Sequence, residues 1–259
     1  MTNLENTVNT PSAYRAPAVA QAFALLDELA GRSEGLRLSD LVRELDLPKS
    51  TVHRVLATLH ELGVVAKEDD GRYVLGARLA AYARPAQYVY TGLIAPFYAV
   101  AERIRDKHDE TIQLGVLTGA EVTFVAFVET TQPVRLFTRV GRRLPAYASA
   151  CGKAILAFRD EAALRPVLDA GLHPITPSTV HDEKQLRAEL TAARHNGWAS
   201  EVEETSRNLS CFSVPVLDHD DAAVAAVTAC VPTNSVDPAY AERLLTDLRA
   251  GAEELRRYL

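Results

Sequence analysis

The sequence predicts an α+β chain in two parts: a small N-terminal winged helix-turn-helix, then a larger region of antiparallel sheet with flanking helices. Three observations carry that reading. Residues 38–62 hold two short amphipathic repeats separated by a tight turn. A pair of strand-like runs follows, with Asp-Gly between them. Beyond residue 110, period-two runs joined by short turns are interspersed with helical ones, which suits consecutive antiparallel strands covered by helices. At 259 residues the chain is long enough for two such units.

The first 15 residues are polar, lack the charged and apolar regions of a signal peptide, and are expected to form a flexible tail. Val19, Ala22, Phe23, Leu26 and Leu29 then space an amphipathic helix closed by Gly31. Leu38, Leu41, Val42 and Leu45 give a second helix. Ser39 is its expected cap, and Asp40 suits the positive end of its dipole. After Asp46-Leu47-Pro48 the spacing restarts with Val52, Val55, Leu56, Leu59 and Leu62; Pro48 fits the first helical position, and Gly63 the left-handed residue that ends it. Two helices this short need each other and a third to bury their apolar stripes. Val64–Lys67 and Arg72–Leu75 around Glu68-Asp69-Asp70-Gly71 form the expected hairpin, or wing.

The polar face of the third helix points to double-stranded DNA. Lys49, Ser50, Thr51, His53 and Arg54 are donors for phosphates and base edges, with no acid before Glu61. Ser39 ahead of them and Lys67 and Arg72 on the wing complete the expected contact set. Charge argues for restraint: residues 1–80 hold nine Lys or Arg against eleven acids, so the domain lacks the overall basic footprint of most nucleic-acid binders. A local patch remains, and a dimer that doubles it is expected.

Gly76–Arg84 reads as a linker helix stopped by Pro85, within an expected linker of residues 77–92 between a first domain at 16–76 and a second at 93–259. In the second domain a helix is expected over Pro96–His108, then strands over Thr111–Leu117, Glu121–Glu129 and Val134–Val140 with Gly119 in the first turn. Helices follow from near Ser149, over Glu161–Asp169 and over Glu183–Asn196. Strands Leu209–Leu217 and Ala222–Val231 flank a turn at residues 218–221, and Ala239–Leu259 makes a last amphipathic helix.

Composition excludes several classes. A net charge of −6 with 47% hydrophobic residues describes a globular protein, and no apolar run approaches the roughly 18 residues that span a bilayer. Three widely separated cysteines suit free thiols in a reducing cytoplasm. Catalysis is not expected, and no cofactor is implied. Gly152-Lys153 lacks the first glycine and the Ser or Thr of a phosphate loop; there is no G-x-S-x-G elbow; and His219, Asp220 and Asp221 sit in a turn.

The strings LSDLVRELDLPKSTVHRVLATL, RVGRRLPAYASACGKAILA (Arg139–Ala157) and NGWASEVEETSRNLSCFSVPV (Asn196–Val216), in that order, resemble the IclR family of bacterial transcriptional regulators over about residues 16–257. The resemblance implies a winged-helix DNA-binding domain, a linker helix and a GAF-like effector-binding and oligomerisation domain, assembled as a homodimer or dimer of dimers. It implies an operator and a small-molecule effector, with contacts at Ala150, Cys151, Glu201, Cys211, Thr228 and Cys230. Thr228 and Cys230 alternate on one strand, so both can face one cavity. If Ser149 opens a helix, the N–H groups of Ala150, Cys151 and Gly152 form an anion site that suits a carboxylate. Asn208 stands where the family commonly has glycine, and Glu201 where an aspartate is familiar. A rival reading has Cys151, Cys211 and Cys230 sensing zinc or thiol oxidation.

Overall fold

The structure is a computed structural model that describes residues 16–32, 34–83, 90–132 and 138–259. The chain forms two compact units, residues 1–86 and 87–259.

The first unit contains α1 (Pro17–Ala30), α2 (Leu38–Leu45), α3 (Lys49–Glu61), β1 (Val65–Lys67), β2 (Tyr73–Leu75) and α4 (Arg78–Ala83). Its core joins Leu25 and Leu29 of α1, Leu41 of α2, and Val52, Val55, Leu56 and Leu59 of α3 to Val64, Val65 and Tyr73 of the wing. Burial of such a stripe, at roughly 1.5–3 kcal/mol per large side chain, holds together helices too short to persist alone. The α1 stripe is turned from the expected one: Leu25 is its inner residue, while Val19 and Phe23 are 56% and 63% exposed.

Three termini also differ from expectation. Ser39 does not cap α2, which begins one residue earlier; the Asp40 carboxylate instead accepts the Arg37 N–H at 3.1 Å. Pro48 is the cap of α3 and not its first helical residue. Gly31 follows α1 in a right-handed conformation, φ −77°, so its closure uses no glycine freedom. Gly63, in contrast, has φ +69°, as a left-handed terminator requires. The wing pairs Val65 with Leu75 and Lys67 with Tyr73, and Leu36 adds a bridge to Tyr73. Of the expected linker helix, Arg78–Ala83 is helical, and residues 84–89 lie outside the described residues.

The second unit opens with α5 (Thr91–His108), which starts five residues before the expected Pro96 and carries that proline inside it. Leu93 and Phe97, both fully buried, draw the extra turn into the helix, so packing overrides the start signal that proline sends. Then come β3 (Thr111–Thr118), β4 (Glu121–Val128), β5 (Arg143–Pro145), α6 (Ala150–Leu156), α7 (Glu161–Ala170), α8 (Glu183–Asn196), β6 (Ala199–Val202), β7 (Leu209–Leu217), β8 (Ala223–Pro232) and α9 (Pro238–Arg256). The strand expected over Val134–Val140 falls mostly on residues 133–137, outside the described residues; Thr138–Val140 is not strand, and β5 lies further on.

These strands form one antiparallel sheet in the order β5-β4-β3-β8-β7-β6. Its two faces have different chemistry, set by alternation along each strand. Ile112, Leu114 and Val116, Phe212, Val214 and Val216, and Val227, Ala229 and Val231 pack one face against α5 and α9. The opposite face carries Gln113, Cys211, Ser213, Thr228 and Cys230, and α6 lies over it with every residue buried.

Candidate functional site

In the first unit, α3 turns Lys49, Ser50, His53 and Arg54 to the surface, with Thr51 half-buried beside them. Among the described residues none of these five side chains makes a hydrogen bond or ion pair, so all are free for an external acceptor. Ser39 and Lys67 are also exposed, the Lys67 ammonium lying 5.5 Å from the centre of the Tyr73 ring. Arg72 differs. Its guanidinium holds Asp70 at 3.0 Å and donates to the Glu34 carbonyl at 3.2 Å, which ties the wing to the loop before α2. His60 turns back to the Val65 carbonyl at 3.2 Å and braces the α3–β1 junction.

In the second unit a cleft of about 280 Å³, counted out to its open mouth, lies between α6 and the polar sheet face. Its inner space is no larger than about one water molecule needs. Ala150, Cys151, Glu201, Cys211, Thr228 and Cys230, six residues spread over 81 positions of sequence, all line it. Strand register explains the meeting: Glu201 stands opposite Cys211, Cys211 opposite Cys230, and Thr228 between Ser213 and Gln113. Gly115, one pleat along β3 from Gln113, lets the Cys151 thiol approach; a side chain at that position would collide with its Sγ.

The helix end differs from expectation in one respect. Ser149 caps α6 by accepting the Gly152 N–H at 3.0 Å, which removes that group from any anion site. The amides of Ala150 and Cys151 remain without a partner among the described residues.

Buried polar groups cost about 1–3 kcal/mol each when unsatisfied, and here they satisfy one another. Gln113 donates to Thr138 Oγ1 at 2.6 Å, and its Oε1 receives the Cys230 thiol at 3.7 Å. Ser213 and Thr228 share a hydrogen bond of 2.8 Å. Glu201 accepts the Glu204 N–H at 2.7 Å and the Thr205 hydroxyl at 2.8 Å; burial raises its pKa, opposed by these bonds. Behind the turn, the buried Lys153 of α6 holds Glu204 at 2.5 Å and Glu189 at 2.6 Å. The left-handed conformation of Asn208, φ +60°, completes this turn without the glycine familiar at that position.

The zinc and thiol reading finds no support in this geometry. Cys211 and Cys230 approach to 3.3 Å, yet no group of three His, Cys, Asp or Glu among the described residues is arranged to hold a metal ion. Burial pushes the Cys151 thiol up to about 12, and the hydrogen bond with Cys230, then burial, pushes the Cys211 thiol up. Metal ligation and rapid oxidation both start from thiolate.

Gln113, Arg142, Ser149 and Thr205 also line the cleft and lie outside the six expected positions. Gln113 was available from alternation, since Thr111, Gln113 and Gly115 oppose Ile112, Leu114 and Val116. Arg142 sends no such signal, because a loop residue's facing follows no period.

Comparison with known proteins extends both sites. Residues 18–69 match the IclR helix-turn-helix domain, and residues 86–257 match the bacterial transcriptional regulator IclR C-terminal domain. The chain is 33% identical over 245 residues to the glycerol operon regulatory protein of Streptomyces griseus, covering 93% of this chain and 96% of that one. It is 31% identical over 213 residues to the HTH-type transcriptional regulator KipR of Bacillus subtilis, covering 81% and 84%. Among solved structures, it is similar to an IclR homologue of Microbacterium hydrocarbonoxydans complexed with 4-hydroxybenzoate, with TM-score 0.74 and 27% identity over 93% of this chain and 98% of that one. Among the described residues no helix is long and apolar enough to cross a membrane.

Proposed function

This chain belongs to the IclR family of bacterial transcriptional regulators, and we propose that it is a cytoplasmic, non-catalytic switch whose grip on an operator responds to a small carboxylate bound in the cleft under α6. One observation carries the reading: the six dispersed positions expected to contact an effector converge on one cleft in a chain whose other unit presents a helix of unpartnered donors. Lys49, Ser50, Thr51, His53 and Arg54 enter the major groove, with Ser39 and Lys67 on the backbone. Arg72 supports the wing and contacts phosphate only if it leaves Asp70.

A homodimer, or a dimer of dimers, supplies two such helices. The carboxylate binds at the Ser149 end of α6, against the amides of Ala150 and Cys151, with Glu201, Cys211, Thr228 and Cys230 around the rest of the ligand. The cleft's tightness supports coupling: a ligand larger than water must spread α6 from the sheet, and that differential fit biases the equilibrium between two dimer arrangements.

The test is a thermal-shift screen of catabolic carboxylates, 4-hydroxybenzoate among them, followed by footprinting of the DNA upstream of the gene. A stabilising acid should change the footprint, and bulk placed at the cleft, Thr228→Trp, should remove the response while ligand-free DNA binding persists. Protection of DNA that no stabilising acid alters, or a response that survives Thr228→Trp, refutes the reading.

A further inference from the structure

The cleft holds two charged side chains of opposite sign that do not meet. Glu201 is buried on β6, where it accepts the Glu204 N–H and the Thr205 hydroxyl of its own turn and meets the Cys211 thiol of the neighbouring strand. Arg142, half-buried in the loop before β5, lines the same space. Among the described residues its guanidinium makes no hydrogen bond and no ion pair. That contrasts with its neighbour Arg143, which is paired with Glu121 at 2.6 Å. An arginine lining a cleft with five idle donors is arranged for an external acceptor. Bringing charge into a narrow cleft is costly unless a partner arrives, and among the described residues Arg142 and Glu201 form no ion pair with each other. The neutral lining residues Gln113, Thr228 and Cys230 already spend their main donors and acceptors within the protein, on Thr138, Ser213 and one another.

We infer that Arg142 is a specificity-determining residue, and that the effector is a bipolar carboxylate: one carboxylate seated between Arg142 and the amides of Ala150 and Cys151, with a hydroxyl or amine at its other end donating to Glu201. This inference rests on the reading of the cleft as an effector site. It goes beyond that reading by excluding two acid classes. A dicarboxylate places a second negative charge against Glu201 in a water-poor space. A simple fatty acid brings an apolar end, with no donor, against the Glu201 carboxylate. A hydroxy acid or an amino acid meets both ends.

The test measures binding of four three-carbon probes, 3-hydroxypropionate, β-alanine, propionate and malonate, to the full chain at millimolar concentration by ligand-detected NMR, with the dissociation constants compared. A site built to hydrogen-bond a hydroxyl rejects the analogue that lacks it, so 3-hydroxypropionate or β-alanine should bind about tenfold or more tighter than propionate and malonate. Arg142→Gln should weaken every acid by about tenfold or more. Glu201→Gln should remove the discrimination against malonate while carboxylate binding persists, a readout that mere loss of folding cannot produce. Acids that bind in a manner blocked by Thr228→Trp, but indifferent to Arg142→Gln or without preference for a donor end, overturn this inference and leave the cleft as the effector site. Binding that Thr228→Trp does not block, or no binding by any probe, overturns the inference together with the cleft reading on which it stands.

Discussion

Arg54 and Arg72 are the same residue type in the same small domain, and their surroundings give them different work. Among the described residues the Arg54 guanidinium has no partner, whereas that of Arg72 is held by Asp70 and by the Glu34 carbonyl. Arg54→Ala and Lys49→Ala are therefore expected to weaken operator binding by about 1–3 kcal/mol where a base edge is read, or to lower the salt slope by about 1 where a phosphate is held. Arg72→Ala should leave that slope nearly unchanged and loosen the wing instead, seen as faster amide exchange at Tyr73. Equal slopes for all three variants would show that α3 is not the contact helix. Glu110 gives a residue-scale prediction for pH. Burial raises its pKa from 4.5 to about 7, with the Tyr240 hydroxyl donating to it at 3.3 Å. The folded chain thus holds a proton that the unfolded chain has released, and stability falls as pH rises from about 4.5 to about 7. Glu110→Gln should flatten the stability profile across that window in chemical denaturation. A slope that persists unchanged assigns it to other groups.

At the scale of elements, α6 shows what period and spacing can reveal and what they cannot. The helix was legible from Ser149, its cap, and the strands beneath it from alternation, because a cap and a pleat are local rules. So were the bounds of α8 and β7, where Asp182 and Gly197 close α8 and apolar residues recur through β7 at every second position. The role of Lys153 was not legible: a lysine at that position reads as a solvated charge, and only the tertiary fold brings Glu204 from 51 residues away to meet it. β5 and β6 escaped notice because three- and four-residue strands carry too few periods to show one, and Pro96 sent a start signal that packing overrode. Two glycines tie α6 to the unit. A side chain at position 152 would strike the Ala146 backbone carbonyl, and backbone cannot rotate aside as a side chain can. Gly152→Ala should accordingly lower the melting temperature of the second unit by an amount equivalent to about 1–3 kcal/mol, with α3 unaffected. Lys153→Met should cost about 3–5 kcal/mol by leaving Glu204 buried and unpaired. Adding Glu204→Gln should recover part of that loss, since the amide still accepts the Val180 N–H; failure to recover would mean that Lys153 contributes through its packing alone.

At the scale of the whole molecule, two features have to be reconciled: a helix-turn-helix unit with a narrow patch of donors and no excess of basic residues, and, in a separate unit, the cleft proposed to hold the effector. Weak attraction for phosphate makes a single domain a poor binder, so affinity has to come from joining two domains, and joining them makes affinity depend on their separation. A recognition helix reads one half-site on one face of the duplex, and two helices fixed in a dimer match half-sites about 34 Å, or one helical turn, apart. Separation is then the variable that an effector can control without touching DNA. An operator tests this directly. Inserting about 5 base pairs between its half-sites turns one of them to the opposite face and should reduce binding to the level of a single half-site. Inserting about 10 restores the face while adding a turn of distance, so recovery should be partial in a chain whose dimer is rigid and nearly complete in one whose DNA-binding units are loosely tethered. The effector should change the ratio of affinities for the native and the lengthened operator if it acts through spacing. A ratio that stays constant as the effector is titrated, while both affinities fall, would place its action on the recognition helix itself and not on the distance between two of them.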